Sequence, residues 1–286
     1  MKYLFLVVSI SVFMSGCSIQ QLAIRSMSGL MDSGFVVLNE EQDLDIAEKS
    51  IASNLKLLEA MLKNDSENKD LLLLACMGYT SYTIGFVEDQ SQERARLFYL
   101  RAKDYGMRLL KSNKQFAENL NGDMEHFISS LQYFSQDYIP YVYWTAISWG
   151  SYVSLSLTDP DALADLPKVE AMMKYVAEHD SKYFFGGSHF FLGALYGSRP
   201  KMLGGNPDES KKQFEECLAI NGGKFLLTYV YYARTYAVQI QDQDLFNQLL
   251  DKVDAASIDV LPEARLSNAI AKKKAEYLRS ISNELF

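Results

Sequence analysis

Residues 185–253 read FGGSHFFLGALYGSRPKMLGGNPDESKKQFEECLAINGGKFLLTYVYYARTYAVQIQDQDLFNQLLDKV, and this stretch decides the fold. Each half begins with a helix that places a large, a small and an aromatic residue on one stripe. It continues with a helix whose apolar stripe is spaced four and then three. This spacing is typical of tetratricopeptide hairpins, in which the small residue lets two helices touch. The stripes are Leu192, Gly193 and Tyr196 with Ser210, Phe214 and Cys217, and then Tyr232, Ala233 and Tyr236 with Phe246, Leu250 and Val253.

Weaker copies of the same pattern lie closer to the N-terminus, with Ala75 and Gly150 at the small positions. A hairpin of this kind cannot bury its own apolar face, so copies stack side by side and produce a binding surface. The sequence therefore predicts an all-α, tetratricopeptide-like helical-hairpin solenoid. We expect it to fill residues 41–286 as a single domain, with residues 262–281 as a closing helix.

The connection between the two helices of the first hairpin carries its own local signals. After the turn at residues 200–205, Asn206 can accept from exposed amides, Pro207 lacks the amide that would be unpaired, and Asp208 meets the positive end of the helix dipole. The helix should end where Gly222 can take the left-handed cap. The hairpin boundaries are thus specified locally as well as by packing.

The first residues resemble a lipoprotein signal. Lys2 forms a short charged head, residues 3–14 form an apolar core too short to span a bilayer, and Ser15 and Gly16 precede Cys17. We predict a signal peptide over residues 1–16, lipidation of Cys17, and a tether with a first helix over residues 17–40. Several acyl chains together hold a protein at a membrane. An ordinary secretory signal with an incidental Cys17 is the alternative.

Composition limits the classes of partner. With 28 basic and 36 acidic residues the formal net charge is −8, which argues against nucleic acid, and no basic run suggests an anionic lipid surface. Membrane attachment then depends on the lipid. Ser18, which is not Asp, would allow transfer to the outer membrane under the enterobacterial sorting pattern.

The acidic turn from Glu88 to Glu93 is interpreted as solvated surface. Cys76 and Cys217 should pack as small core residues. A disulfide between them is the alternative.

Three segments carry a family resemblance: GSHFFLGALYGSRPKMLGG at residues 187–205, YARTY at residues 232–236 and PYVYWTAISW at residues 140–149. Over residues 140–253 the chain resembles the T-component lipoproteins of tripartite ATP-independent periplasmic (TRAP) transporters. The resemblance implies a helical-repeat lipoprotein on the periplasmic side of a bacterial membrane, often a trimer. It also implies docking of the transporter's solute-binding protein and a passage or cleft for a hydrophobic ligand.

The concave groove of stacked hairpins is lined by first-helix residues at fixed distances from the small position. This rule selects Trp144, Ile147, Phe190, Val230 and Arg234 as ligand- or partner-binding candidates. The predicted wall is mostly apolar, with Lys69 at one end and Arg234 at the other as isolated charges, so a hydrophobic ligand or an apolar partner segment fits it best. The alternative is that these residues are plain core.

Three further candidates lie around the same helix and its following turn. By resemblance, His189 shapes the cleft together with Arg199 and Lys201. A catalytic role for His189 beside Ser188 is not supported, because the segment lacks the closing glycine and the strand-turn-helix context of a nucleophile elbow.

The pattern as a whole favours a binding protein. We expect no enzymatic activity, no cofactor and no metal, because no stripe supplies paired carboxylates, a positioned nucleophile or ligands at metal spacing. The leading interpretation is an accessory of TRAP-type uptake that binds the solute-binding subunit. The rival is a tetratricopeptide lipoprotein that scaffolds envelope or outer-membrane protein assembly.

Overall fold

The computed structural model describes residues 21–26, 31 and 33–286, and helices account for nearly all of its regular structure. Residues 21–26 and 33–39 are helical, and the longer helices follow them. These are α1 (Leu44–Leu62), α2 (Lys69–Phe86), α3 (Gln92–Leu110), α4 (Lys114–Asn119), α5 (Met124–Leu131), α6 (Ile139–Ser154), α7 (Pro160–Ala164), α8 (Leu166–His179), α9 (Tyr183–Gly197), α10 (Pro207–Asn221), α11 (Leu227–Tyr231), α12 (Gln243–Ala255), α13 (Arg265–Ser280) and α14 (Ser282–Leu285). No β-strand occurs in this part of the chain, so the prediction of an all-α fold is confirmed.

The hairpins form where the sequence places them. Helix α2 packs on α3, α6 on α8, and α9 on α10. The cap of α10 is also as predicted: the Asn206 side chain accepts from the Glu209 amide at 3.2 Å, and Gly222 ends the helix with φ 62°. None of the described helices is both long and apolar enough to cross a membrane. Cys76 and Cys217 are buried free thiols.

The two ends of the stack meet, which the repeat pattern does not predict. Helix α13 packs against α1 and α11, and a single core cluster joins residues of α1–α3 with residues of α11–α13. Asn268 fixes the packing of α13 beside α11, since its side chain accepts from the Leu226 amide at 3.0 Å and donates to the Lys224 carbonyl at 3.1 Å. The concave side is therefore largely enclosed by the chain itself instead of forming an open groove.

Gly193 makes a close helix contact in the first hairpin, and it gives a test of the fold. A Cβ atom at this position would lie 2.9 Å from the Phe214 ring. Gly193→Leu should lower the free energy of unfolding by about 1–3 kcal/mol through overpacking, measured by urea denaturation. The control is Gly34→Leu, because nothing lies within 4 Å of a Cβ there. Equal stability of Gly193→Leu and the parent protein would contradict the hairpin packing.

Candidate functional site

The enclosed concave side contains two adjacent apolar cavities. The first, called here the central cavity, has a volume of ≈ 80 Å³ and lies between α2, α6, α9 and the C-terminal helices. Most of its wall is aromatic or aliphatic: it is lined by Phe35, Asn39, Ile51, Ser81, Ile84, Tyr143, Trp144, Ile147, Phe184, Phe190, Phe225, Leu227, Leu266, Ser267 and Ile270. A space lined in this way suits an apolar guest, because none of these lining residues from the described part of the chain is charged.

The second space is called the Arg234 cavity. It has a volume of ≈ 230 Å³ and shares Ile84, Ile147 and Phe190 with the central cavity. Its polar rim contains Ser151, Ser154, Ser198 and Thr235, and its charged side is formed by Glu88 and Arg234. Arg234 belongs to a π-helical segment, Tyr232–Ala237, within the second hairpin. Such segments frequently occur at functional sites.

Beside the Arg234 cavity lies a four-residue ion cluster, called here the ionic clasp: Glu88, Asp89, Arg234 and Lys274. Lys274 Nζ lies 2.8 Å from Glu88 Oε1 and 2.5 Å from Asp89 Oδ2. Arg234 Nη1 lies 3.0 Å from Asp89 Oδ1 and 3.3 Å from Glu88 Oε1. The clasp joins the turn after α2 to the second hairpin and α13, so it holds the two ends of the stack together.

Glu88 is the centre of the clasp. Tyr99 and Tyr231 each donate to its carboxylate, at 2.6 Å and 2.5 Å. Burial opposes ionisation of Glu88, but the positive charges of Lys274 and Arg234 and the hydrogen bonds from Lys274 and Tyr231 outweigh burial and lower its pKa to about 2. The interpretation of the turn at Glu88 as solvated surface is therefore wrong, as is that of Arg234 as an isolated charge. Two positive and two negative charges balance, which leaves the cavity without net charge from the clasp.

A strained turn starts α9, and its residue Phe184 lines the central cavity. Phe184 has φ 47° and Phe185 has φ 62°, followed by Gly186 at φ 82°. A bulky L-residue in the left-handed region costs roughly 1–2 kcal/mol, and such strain is found at functional sites where surrounding contacts maintain it. Of these three residues only Gly186 is of a type that favours the left-handed region. The sequence therefore does not predict the turn, and Phe184 was not among the predicted site residues.

Four of the eight predicted site residues come together on the cavities. Trp144 lines the central cavity, where its Nε1 donates to the Tyr183 hydroxyl at 3.2 Å. Ile147 and Phe190 line both cavities, and Arg234 lines the second. Tyr143 and Trp144 are almost fully buried and also line the central cavity, so a core position does not exclude a position on its wall, and ligand binding by Trp144 stays a prediction.

The other four predicted site residues line neither the central cavity nor the Arg234 cavity. Val230 is fully buried in the core, and Nδ1 of His189 lies 2.7 Å from Oε1 of Gln213 on α10. Arg199 is 6% exposed, with its Nε donating to the Leu195 carbonyl at 3.1 Å. Lys201 is exposed in the short 3-10 turn that follows α9. Cys17 lies outside the described residues, so its lipidation stays a prediction.

A third cavity, the N-terminal cavity of ≈ 240 Å³, lies between residues 31 and 33–39 on one side and helices α1 and α2 on the other. It shares Phe35, Asn39, Ile51, Ser81 and Leu266 with the central cavity. The helical residues before α1 thus form one wall of the apolar space. The hairpin pattern predicts neither this wall nor the contribution of α13, because both reach the cavity from outside the hairpins.

Comparison with known proteins identifies the family. The family model described as TRAP transporter T-component matches residues 40–286. The chain belongs to the TRAP transporter T-component family. It is also similar to a protein of Treponema pallidum (strain Nichols), recorded only as an uncharacterized protein, with 23% identity over 304 aligned positions that cover 95% of this chain and 94% of the relative.

Membership gives the T-component chain its general role. The family consists of accessory components of TRAP transporters, and it is not known as an enzyme family. The predicted family is therefore confirmed, with the match extending well upstream of residue 140.

Proposed function

We propose that this T-component binds a hydrophobic ligand in its enclosed cavities and passes it to, or receives it from, the transporter's solute-binding subunit. The observation that supports this is the pair of adjacent spaces on the concave side, which share Ile84, Ile147 and Phe190. Glu88 and Arg234, the charged residues that line the Arg234 cavity in the described part of the chain, are paired within the ionic clasp, which favours an uncharged apolar guest.

The enclosure of the concave side also bears on the rival function. A scaffold that holds extended segments of client proteins needs an open groove along the stacked hairpins. In this chain α13 and residues 33–39 close that side, with Leu266 and Phe35 reaching the central cavity. The geometry therefore favours a small guest over an extended polypeptide.

The cellular setting is part of the proposal. A lipid on Cys17 would attach the chain to a membrane on its periplasmic side, and Ser18 favours the outer membrane under the enterobacterial pattern. The family resemblance favours a homotrimer. Light scattering of the solubilised protein tests the trimer, and mass spectrometry of the N-terminal peptide tests the lipid.

One purification tests the function itself. The full-length lipoprotein is solubilised in detergent, captured, and examined by mass spectrometry for companion proteins and small apolar molecules. We expect a TRAP solute-binding protein and at least one apolar compound. Binding of the fluorescent apolar probe 1-N-phenylnaphthylamine is the second measurement. Recovery of outer-membrane assembly factors without a solute-binding protein, or failure of the probe to bind, would overturn the proposal.

A further inference from the structure

The turn that starts α9 lies between the central cavity and a second, solvent-facing space, called here the vestibule. The vestibule has a volume of ≈ 280 Å³ and is lined by polar residues that include Asn39, Lys182, Glu263 and Ser267. Phe184 lines both spaces, and Phe185 lines the vestibule. We propose that Phe184 is a gate through which an apolar ligand passes between vestibule and central cavity, an inference that rests on the proposed ligand-binding function.

The contacts of Phe184 fit a side chain that can move. Its ring centroid lies 4.8 Å from that of Trp144, 5.7 Å from that of Tyr143 and 5.9 Å from that of Phe225. These are ring contacts, so displacing the phenyl group breaks no hydrogen bond of that group. The rings behind it are held in place, since Trp144 donates to Tyr183. A ring held by such contacts inside a hydrogen-bonded aromatic frame is an arrangement that suits a gate.

The backbone of the turn supplies the second conformation. Phe184 and Phe185 occupy the left-handed region, which bulky L-residues seldom adopt, so the free-energy gap to a right-handed or extended turn is reduced. The closed form is held from one side: the Phe185 carbonyl accepts from Asn221 Nδ2 at 3.2 Å and from Cys217 Sγ at 3.6 Å. A segment with two conformations of similar free energy is the element on which a ligand can act.

The structure around the turn also explains why a gate is needed at this position. On the vestibule side Lys182 and Glu263 face solvent-accessible space, whereas on the other side the wall consists of Tyr143, Trp144 and Phe225. Phe184 separates these environments. A closed gate keeps water out of the central cavity, and an open one gives an apolar guest a short path from solvent.

Stopped-flow binding of 1-N-phenylnaphthylamine to the full chain tests the gate. Phe184→Ala should raise the association and dissociation rate constants by about five-fold or more, while the dissociation constant changes by less than about three-fold, because the barrier falls for both directions. Phe184→Leu keeps an apolar side chain at the turn and should show a smaller increase. If Phe184→Ala does not fold, the two rate constants are measured on Phe184→Leu instead.

Two further variants make the result specific. Phe98 is a partly buried aromatic that packs on Tyr79 and Tyr82, so Phe98→Ala should leave both rate constants unchanged. Ser267 lines both the vestibule and the central cavity, so Ser267→Trp should slow association and should cancel the acceleration in the double variant with Phe184→Ala.

The outcomes separate the two proposals. If the probe binds all variants with the same rate constants, Phe184 is no gate, although the ligand cavity stands. If Phe184→Ala weakens binding more than ten-fold at an unchanged association rate, the ring is part of the binding wall, and the gate is again overturned. If no variant and no parent protein binds the probe, the ligand-binding function fails and the gate fails with it.

Discussion

Replacing Glu88 by alanine is expected to lower the free energy of unfolding by about 3–5 kcal/mol, the range for removing one partner of a buried ion pair. The substitution takes an anionic partner from two cations and a hydrogen-bond acceptor from two tyrosine hydroxyls. Among the described residues, Lys274, whose side chain is 3% exposed, then keeps Asp89 alone as an anionic partner, and so does Arg234. The hydroxyls of Tyr99 and Tyr231 lose their acceptor. Urea denaturation at pH 7 measures the loss.

Glu178→Ala is the control, because Glu178 is an exposed acid on α8 and should change the free energy of unfolding by less than about 0.5 kcal/mol. The effect of Glu88 should also depend on pH. Its pKa in the folded chain is about 2 against an ordinary value of 4.5, so its contribution of about 3 kcal/mol is complete above pH 4.5 and disappears as the pH falls toward 2. A Glu88→Ala variant as stable as the Glu178→Ala variant at pH 7 would show that the clasp does not hold the stack closed.

The sequence predicts the hairpins because their determinants are local. Gly193 and Phe214 follow a spacing that any single hairpin displays, and the cap at Asn206 depends on the next three residues. The same argument places Trp144, Ile147 and Phe190 on the concave side. All three indeed line cavities, because a position on a helical stripe determines which side a residue faces.

Closure of the stack could not be predicted in the same way. Glu88 and Lys274 are 186 positions apart, and each resembles an ordinary surface charge in its own segment. Only the three-dimensional path of the chain brings them together, and the same path brings Leu266 and Ile270 of α13 to the central cavity. An interaction of this kind leaves no periodic pattern, whereas an apolar stripe does.

The turn at Phe184 could not be predicted from the sequence for a different reason. Glycine or asparagine normally indicates a left-handed backbone, whereas phenylalanine, present here at positions 184 and 185, disfavours it. The conformation at Phe185 depends on distant partners, Asn221 and Cys217, which bind its carbonyl from α10. Local preference and tertiary contacts disagree at this point, and such disagreement is characteristic of functional sites.

The largest effect on ligand binding is expected from Phe190→Asp. Phe190 lines both the central and the Arg234 cavity, with its ring centroid 5.0 Å from that of Tyr231 and 6.4 Å from that of Phe225. A carboxylate at this point places a charge in an apolar wall and near Glu88, so an apolar guest loses contacts and meets a solvated group. The affinity for 1-N-phenylnaphthylamine should fall about ten-fold or more, corresponding to about 1.4 kcal/mol.

Phe190→Leu is the matched variant, since it keeps an apolar side chain and should bind the probe within about three-fold of the parent protein. Both variants are compared by melting temperature and by affinity for the solute-binding partner. If Phe190 were only core, Phe190→Asp would melt earlier and still bind the probe normally once folded. If it forms the wall of the ligand cavity, the folded Asp variant loses the probe while the Leu variant keeps it, because charge and not volume then decides the binding.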